Sequence, residues 1–185
     1  MEEGAPGCSR GPMGPIGPIG PIGPIGPISP ISPISPISPE LPPPLAALVA
    51  FFEALPEAER RDNLVAYAEK ARSIAPRAGE GFAVEDLRKD AQCTDFVGVY
   101  LRLKPGGGVT LRMTLGPEVQ TLTRAMAVLL CRGLEGALPG QIAALDPAFV
   151  TRLVGCDLVR IRARTVYYVL ERIQECCRGL ENREG

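Results

Sequence analysis

The sequence contains no histidine, which removes the side chain that most often serves as a general base near neutral pH. Ser–His and Cys–His catalysis are therefore excluded, as is any metal site built on imidazole ligands. If the chain performs covalent chemistry, a cysteine thiolate must carry it without a base of the usual kind. The six cysteines include no CxxC pair and are too sparse for a secreted disulfide scaffold, so we expect reduced thiols in a reducing compartment.

An excess of positive charge and long apolar runs are also missing. Lysine and arginine number 20 against 21 acidic residues, and only Lys70, Lys89 and Lys104 are lysines. A formal net charge of −1 argues against general nucleic-acid binding. No apolar stretch approaches the roughly 20 residues of a membrane span. We therefore expect a soluble protein that contacts neither nucleic acid nor membrane, while plastid, mitochondrion and cytoplasm all remain open.

Proline, in contrast, is concentrated at the N-terminus. From Gly11 the chain reads Gly-Pro-Met, then Gly-Pro-Ile five times and Ser-Pro-Ile three times, ending at Ser38-Pro39-Glu40. This period excludes helix and central strand and favours solvated polyproline II. Collagen is disfavoured because serine replaces glycine from Ser29 onward. The acidic start and the prolines fit neither a signal peptide nor a transit peptide. We predict a disordered arm over residues 1–40 and one folded domain over 41–185.

Within the domain, hydrophobic periodicity predicts helices on both sides of a small antiparallel sheet. The fold class is therefore α+β, with a hairpin, room for a third strand, and packing by N-terminal and C-terminal helices. A proline–glycine turn, Lys104–Gly108, joins the two hairpin strands, and the segment from Glu80 to Asp95 is predicted to be a polar connection. The predicted elements are helices over 45–55 and 57–74, strands Phe96–Leu103 and Val109–Leu115, a long helix from about 118 to 134, short helices after Pro139 and at Asp146-Pro147, and a final helix over 158–177.

Cys93 is the best-placed thiol. It lies in the short polar stretch Lys89–Asp95, immediately before the strand Phe96–Leu103. Arg88 and Lys89 would lower the pKa of this thiol, whereas Asp90 and Asp95 would raise it, and the sequence leaves the balance open.

The other cysteines have plainer interpretations. Cys131 lies among apolar helical residues and is predicted to belong to the core. Cys156 falls in a predicted turn and is assigned no role. Cys176 and Cys177 are adjacent near a predicted helix end and cannot face each other.

Four stretches together resemble the SufE family of sulfur-acceptor proteins. They are the helical opening that ends at Phe52-Glu53-Ala54-Leu55-Pro56, the Cys93 loop leading into its strand, the helix Thr121–Leu134, and Ile142-Ala143-Ala144-Leu145-Asp146-Pro147-Ala148-Phe149, the most specific of the four. The tail from Leu158 to Ile173 also aligns.

The resemblance implies a function for the domain. Cys93 would accept persulfide sulfur from a cysteine desulfurase during iron–sulfur cluster assembly, and Arg162 would support it from the start of the final helix. The pyridoxal phosphate would belong to the desulfurase, so this chain would need no cofactor or metal and would be a sulfur carrier rather than an enzyme. An iron–sulfur scaffold is the expected downstream partner.

Three residues near Cys93 differ from those common in the family. Gln92 replaces glycine, Asp95 replaces serine and Gly98 replaces an aromatic residue. They motivate the alternative that the domain is a degenerate binding module, which contacts a desulfurase without transferring sulfur.

Overall fold

The protein is described here by a computed structural model that covers residues 40–88, 96–156 and 164–184. The predicted arm, Cys93 and Arg162 therefore lie outside the described residues. In chain order the elements are α1 (Pro43–Ala54), α2 (Glu57–Glu69), a 3₁₀ helix (Lys70–Ile74), β1 (Val84–Asp86), β2 (Val97–Leu103), β3 (Val109–Leu115), α3 (Thr121–Gly133), α4 (Pro139–Ala143), α5 (Phe149–Val154) and α6 (Arg164–Glu184).

The first two helices form where the periodicity predicts them. Prolines occupy the first turn of α1, where their missing N–H groups cost nothing. Leu45, Val49 and Phe52 are buried on its inner face. The second helix was predicted to continue to Ile74, but its last turn is a 3₁₀ helix from Lys70. The tighter turn still buries Ile74, and the Ser73 hydroxyl donates to the Lys70 carbonyl at 2.7 Å.

The sheet is antiparallel with the order β1-β2-β3. Strand β1 is the third strand for which the prediction left room, and it lies inside the segment Glu80–Asp95, which was predicted to be a polar connection. Three residues, of which only Val84 is apolar, are too few to show a period-two pattern. Pairing of Val84 with Leu101 and of Asp86 with Val99 fixes this strand to the edge of the hairpin.

The hairpin itself is confirmed, including its turn. Lys104 and Gly108 are linked by a 2.7 Å backbone hydrogen bond, and Gly106 and Gly107 have positive φ angles that favour glycine. Apolar residues at alternate positions are buried, as predicted. Thr110 is an exception: it was expected on the wetter face, but it is 1% exposed and its hydroxyl donates to Glu135 at 3.3 Å.

Helix α3 lies at the centre of the core and contacts α1, α2, β3 and α6. Its predicted apolar stripe is buried, as is the predicted stripe of α6. Three boundaries were predicted wrongly. Helix α3 begins at Thr121 and not near residue 118. Asp146 accepts a hydrogen bond from the Ala148 N–H at 2.8 Å in a turn that precedes α5, so that helix begins at Phe149 and not at Pro147. The final helix continues to Glu184, past the predicted end at Cys177. The fold is nevertheless the predicted one, α+β with helices packed against a small antiparallel sheet.

Candidate functional site

The candidate site is built around the connection between β1 and β2, the part of the chain to which Cys93 belongs. Residues 89–95 lie outside the described residues, so the site is defined by the two chain ends that flank them. These ends are Asp86–Arg88 on one side and Phe96–Val97 on the other. The last pair of the β1–β2 ladder is Asp86 with Val99, so we call this pair of chain ends the stem.

Arg172 of α6 joins the two sides of the stem. Its side chain is 1% exposed. Nη2 donates to the Asp86 backbone carbonyl at 2.9 Å, Nη1 donates to the Val97 backbone carbonyl at 2.9 Å, and Nε donates to the Asp86 carboxylate at 3.0 Å. One buried guanidinium is therefore bonded to both strands where their ladder ends.

A second arginine completes the polar cluster. Arg88 donates to both carboxylate oxygens of Asp86 at 2.8–3.0 Å and to Glu175 of α6 at 2.7 Å. Burial alone would raise the pKa of Asp86, but hydrogen bonds from Arg88 and Arg172 outweigh it and hold that pKa well below its usual range. Asp86 is thus an ionised acceptor between two guanidinium groups.

A groove of about 310 Å³ opens beside this cluster. Asp86, Arg88, Glu175 and Cys176 contribute to its lining. Burial, reinforced by the negative charge of Asp86, raises the pKa of Cys176 to about 11. Cys176 is therefore a thiol at neutral pH and a poor nucleophile, although it lies next to the stem.

The other cysteines that the structure describes differ in how deeply they are buried. Cys131 is in the core as predicted, and burial raises the pKa of its thiol far above the ordinary value. Cys177 is fully buried. Both Cys176 and Cys177 lie inside α6 rather than at a helix end. Among the cysteines that the structure describes, Cys156 alone is exposed.

Gly98 lies at the base of the stem, and its surroundings leave no room for a side chain. An ideal Cβ at this position would lie 3.1 Å from the Tyr100 ring and 3.2 Å from the Leu87 side chain, and would overlap the Thr114 hydroxyl. Leu87 covers the glycine while remaining 49% exposed. The space that an aromatic residue would occupy at position 98 is therefore filled by neighbouring side chains.

Sequence reasoning missed Arg172, Asp86 and Glu175 as parts of this region. One signal was present: Arg172 falls in the apolar stripe of the last helix, next to Ile173 and three residues after Val169. A charged side chain at a core position needs a partner, because burial of an unpaired charge is very costly. The partner could not be identified from sequence, since Asp86 is 86 residues away.

The described ranges contain neither a cluster of metal ligands nor a membrane-spanning helix. In residues 40–88, 96–156 and 164–184, no group of three or more cysteine, aspartate or glutamate side chains is arranged to hold a metal ion. Within the same ranges, no helix has the length and apolar character needed to cross a membrane.

Comparison with known proteins supports the fold. No family model matches the chain, and no curated protein matches it. Among solved structures, the chain is similar to a hypothetical protein from Thermus thermophilus, whose structure was determined in solution. The TM-score is 0.59 at 28% sequence identity, and the match covers 76% of this chain and 97% of that chain. The description of that protein names no activity, so the likeness bears on architecture alone.

Proposed function

We propose that this chain is a SufE-like sulfur acceptor that takes persulfide sulfur from a cysteine desulfurase onto Cys93. The observation that carries the proposal is that, of the four described thiols, all but Cys156 are buried. Cys131, Cys176 and Cys177 are buried, and the pKa values of the first two are raised, so none is a ready nucleophile. Cys93 belongs to the connection whose two ends are held by Arg172.

The transfer needs no histidine on this chain. The Cys93 thiolate attacks the outer sulfur of the desulfurase persulfide, and a new sulfur–sulfur bond forms at Cys93. The bond to the desulfurase cysteine breaks, and that cysteine leaves as a thiolate. The products are a Cys93 persulfide and a regenerated desulfurase thiolate, so charge and atoms balance. Arg162 is proposed to favour the attacking thiolate by its positive charge.

The test is to incubate the reduced protein with a desulfurase and cysteine, then locate added sulfur by mass spectrometry of peptides. We expect one extra sulfur on the Cys93 peptide, and Cys93→Ser should abolish both this product and stimulation of the desulfurase. Cys156→Ser is the matched control, because it removes an exposed thiol in the same protein. Sulfur on Cys156 with none on Cys93 would contradict the proposal.

A second candidate function is a binding module without transfer activity. The packing at Gly98 favours it: Leu87, Tyr100 and Thr114 fill the space above a residue that is often aromatic in SufE proteins. The base of the stem at Gly98 is therefore built differently from the family pattern. Co-purification with a desulfurase, combined with no sulfur on Cys93 in the same assay, would select this alternative.

A further inference from the structure

Arg172 is the largest fully buried side chain of the described structure, and its position is costly without full hydrogen bonding. It lies within the apolar stripe of α6, between Val169 and Cys176. Its three hydrogen bonds all go to the stem, two to backbone carbonyls and one to the Asp86 carboxylate. The guanidinium also lies 5.8 Å from the centre of the Tyr168 ring, but all three of these hydrogen bonds are directed at the two strand ends.

The geometry of the ladder explains why an arginine is required there. If the register continued past the pair Asp86–Val99, Arg88 would face Val97. The Arg88 N–H instead donates to the Asp86 carboxylate at 3.0 Å, so the Val97 carbonyl takes its donor from Arg172. A guanidinium has five N–H groups in a planar fork and can donate in several directions at once. Arg172 thus takes the place of the next rung between β1 and β2. A lysine has a single ammonium at the end of a flexible stem and lacks this fork.

Arg88 forms a second link between the stem and helix α6. It is the last described residue before the Cys93 segment, and it is bonded both to Asp86 and to Glu175, one helical turn after Arg172. Helix α6 therefore holds the stem through Arg172 and, by way of Glu175, through Arg88.

We propose that Arg172 is a positioning residue for sulfur acceptance, because it fixes the separation of the two strand ends between which Cys93 lies. This inference rests on the proposed function. Fixed ends restrict the conformations of the connecting residues, and transfer between two proteins requires the attacking sulfur to be presented in a reproducible position. Arg172 acts through the backbone of the stem and need not touch the sulfur.

The test compares Arg172→Lys with Arg124→Lys, a matched control in the same chain. Arg124 also donates to three backbone carbonyls, but these belong to Gly116, Pro117 and Val119, in the turn after β3. This turn is the neighbour of the stem, since the Gly116 N–H donates to the Phe96 carbonyl, but Arg124 bonds to neither Asp86 nor Val97. Amide hydrogen exchange, read by mass spectrometry, should accelerate about tenfold in peptides spanning 84–100 of Arg172→Lys. In Arg124→Lys the acceleration should be confined to the turn at 116–119.

Two readouts on Cys93 separate positioning from simple stabilisation. In Arg172→Lys, sulfur arrival at Cys93 should slow about tenfold because the thiolate is less well placed. Alkylation of Cys93 by iodoacetamide should instead rise about threefold relative to Cys156 in the same sample, because looser ends admit a small reagent more readily. Arg124→Lys should change neither rate.

Each outcome decides the inference. Unchanged exchange over 84–100, or faster exchange with an unchanged rate of sulfur arrival, overturns it. If Arg172→Lys does not fold, Asp86→Asn takes its place, since it keeps the backbone carbonyl that Arg172 binds, and the same readouts apply. If the parent protein takes no sulfur on Cys93, the proposed function fails, and the ratio of Cys93 to Cys156 alkylation alone decides whether Arg172 positions the segment.

Discussion

At the scale of single residues, three arginines each donate to several backbone carbonyls where a helix, turn or strand ends. Arg60 binds the carbonyls of the last turn of α1, Arg124 binds the turn before α3, and Arg172 binds the stem. Carbonyls at such ends lack partners within their own element, so a forked donor satisfies two or three of them together. The preference for arginine over lysine in this chain therefore has structural uses, whatever its origin.

The ionised state of Asp86 leads to a prediction about acid stability. The pKa of Asp86 is lower in the folded protein than in the unfolded chain, where it is about 3.9. The ionised carboxylate therefore contributes fully to the free energy of unfolding above about pH 3.9, and this contribution is lost as the pH falls below that value. Asp86→Asn should lower the free energy of unfolding by about 1–3 kcal/mol at pH 7. At pH 3 the difference between variant and parent should be smaller.

Urea denaturation at the two pH values measures this difference. Glu53→Gln is the control, because Glu53 pairs with Arg152 on the surface, where solvent screens the interaction, and its removal should change stability little. An equal deficit of Asp86→Asn at pH 7 and pH 3 would show that the charge of Asp86 is not what matters.

At the scale of elements, helices α1 and α3 approach each other closely at Gly133. A Cβ at Gly133, the last residue of α3, would lie 3.1 Å from the Leu45 Cα and 2.8 Å from its Cδ1. Both residues are buried, and Leu45 is fully enclosed. The glycine thus allows the two helices to pack with their backbones nearly in contact.

Gly133→Ala should consequently destabilise the protein by about 1–3 kcal/mol, because a well-packed core accommodates an added methyl only by moving the helix. Gly179→Ala provides the control: Gly179 lies inside α6 with open space around it, and alanine there should stabilise by about 0.5–1 kcal/mol. Thermal unfolding of the two variants measures both effects. A stabilising Gly133→Ala would mean that α1 and α3 are separated more widely.

The elements also show how far the sequence predicts the structure. The hairpin and α3 were predictable from their patterns of apolar residues, which alternate along the strands and recur at helical spacing in α3. Each is also bounded by a strong turn or stop signal. Strand β1 was not, since three residues contain no period and its pairing with β2 depends on register across the connection. For the site, Cys93 was singled out from its local sequence. The pairing of Arg172 with Asp86 is long-range, and no local pattern encodes it.

At the scale of the whole molecule, the residues just before α1 are already part of the packed domain. Pro42 is buried and its carbonyl accepts from Ala46 at 2.9 Å, and Leu41 packs against the core. Helix α1 also contacts α5, and Arg152 of α5 forms an ion pair with Glu53. The residues that follow Glu40 are thus integral to the core.

Deletion of Met1–Glu40 should therefore leave the melting temperature and desulfurase stimulation nearly unchanged. The proline repeat offers no regular element in which its isoleucines could be buried, and ordering a residue costs about 1–2 kcal/mol. Extending the deletion through Leu45 should lower the melting temperature sharply, because Leu45 is fully buried. A large drop after removal of Met1–Glu40 alone would show that the arm packs on the domain.

The stem has a consequence for how this chain can evolve and be engineered. The contacts described there use the side chains of Asp86, Arg88, Arg172 and Glu175, all outside residues 89–95. On the proposed function, the contacts that fix the stem and the reacting thiol therefore belong to separate sets of residues. The stem can serve as a host into which other short sequences are grafted, and substitutions at 86 and 172 should arise together across a lineage, while residues 89–95 diverge independently of both.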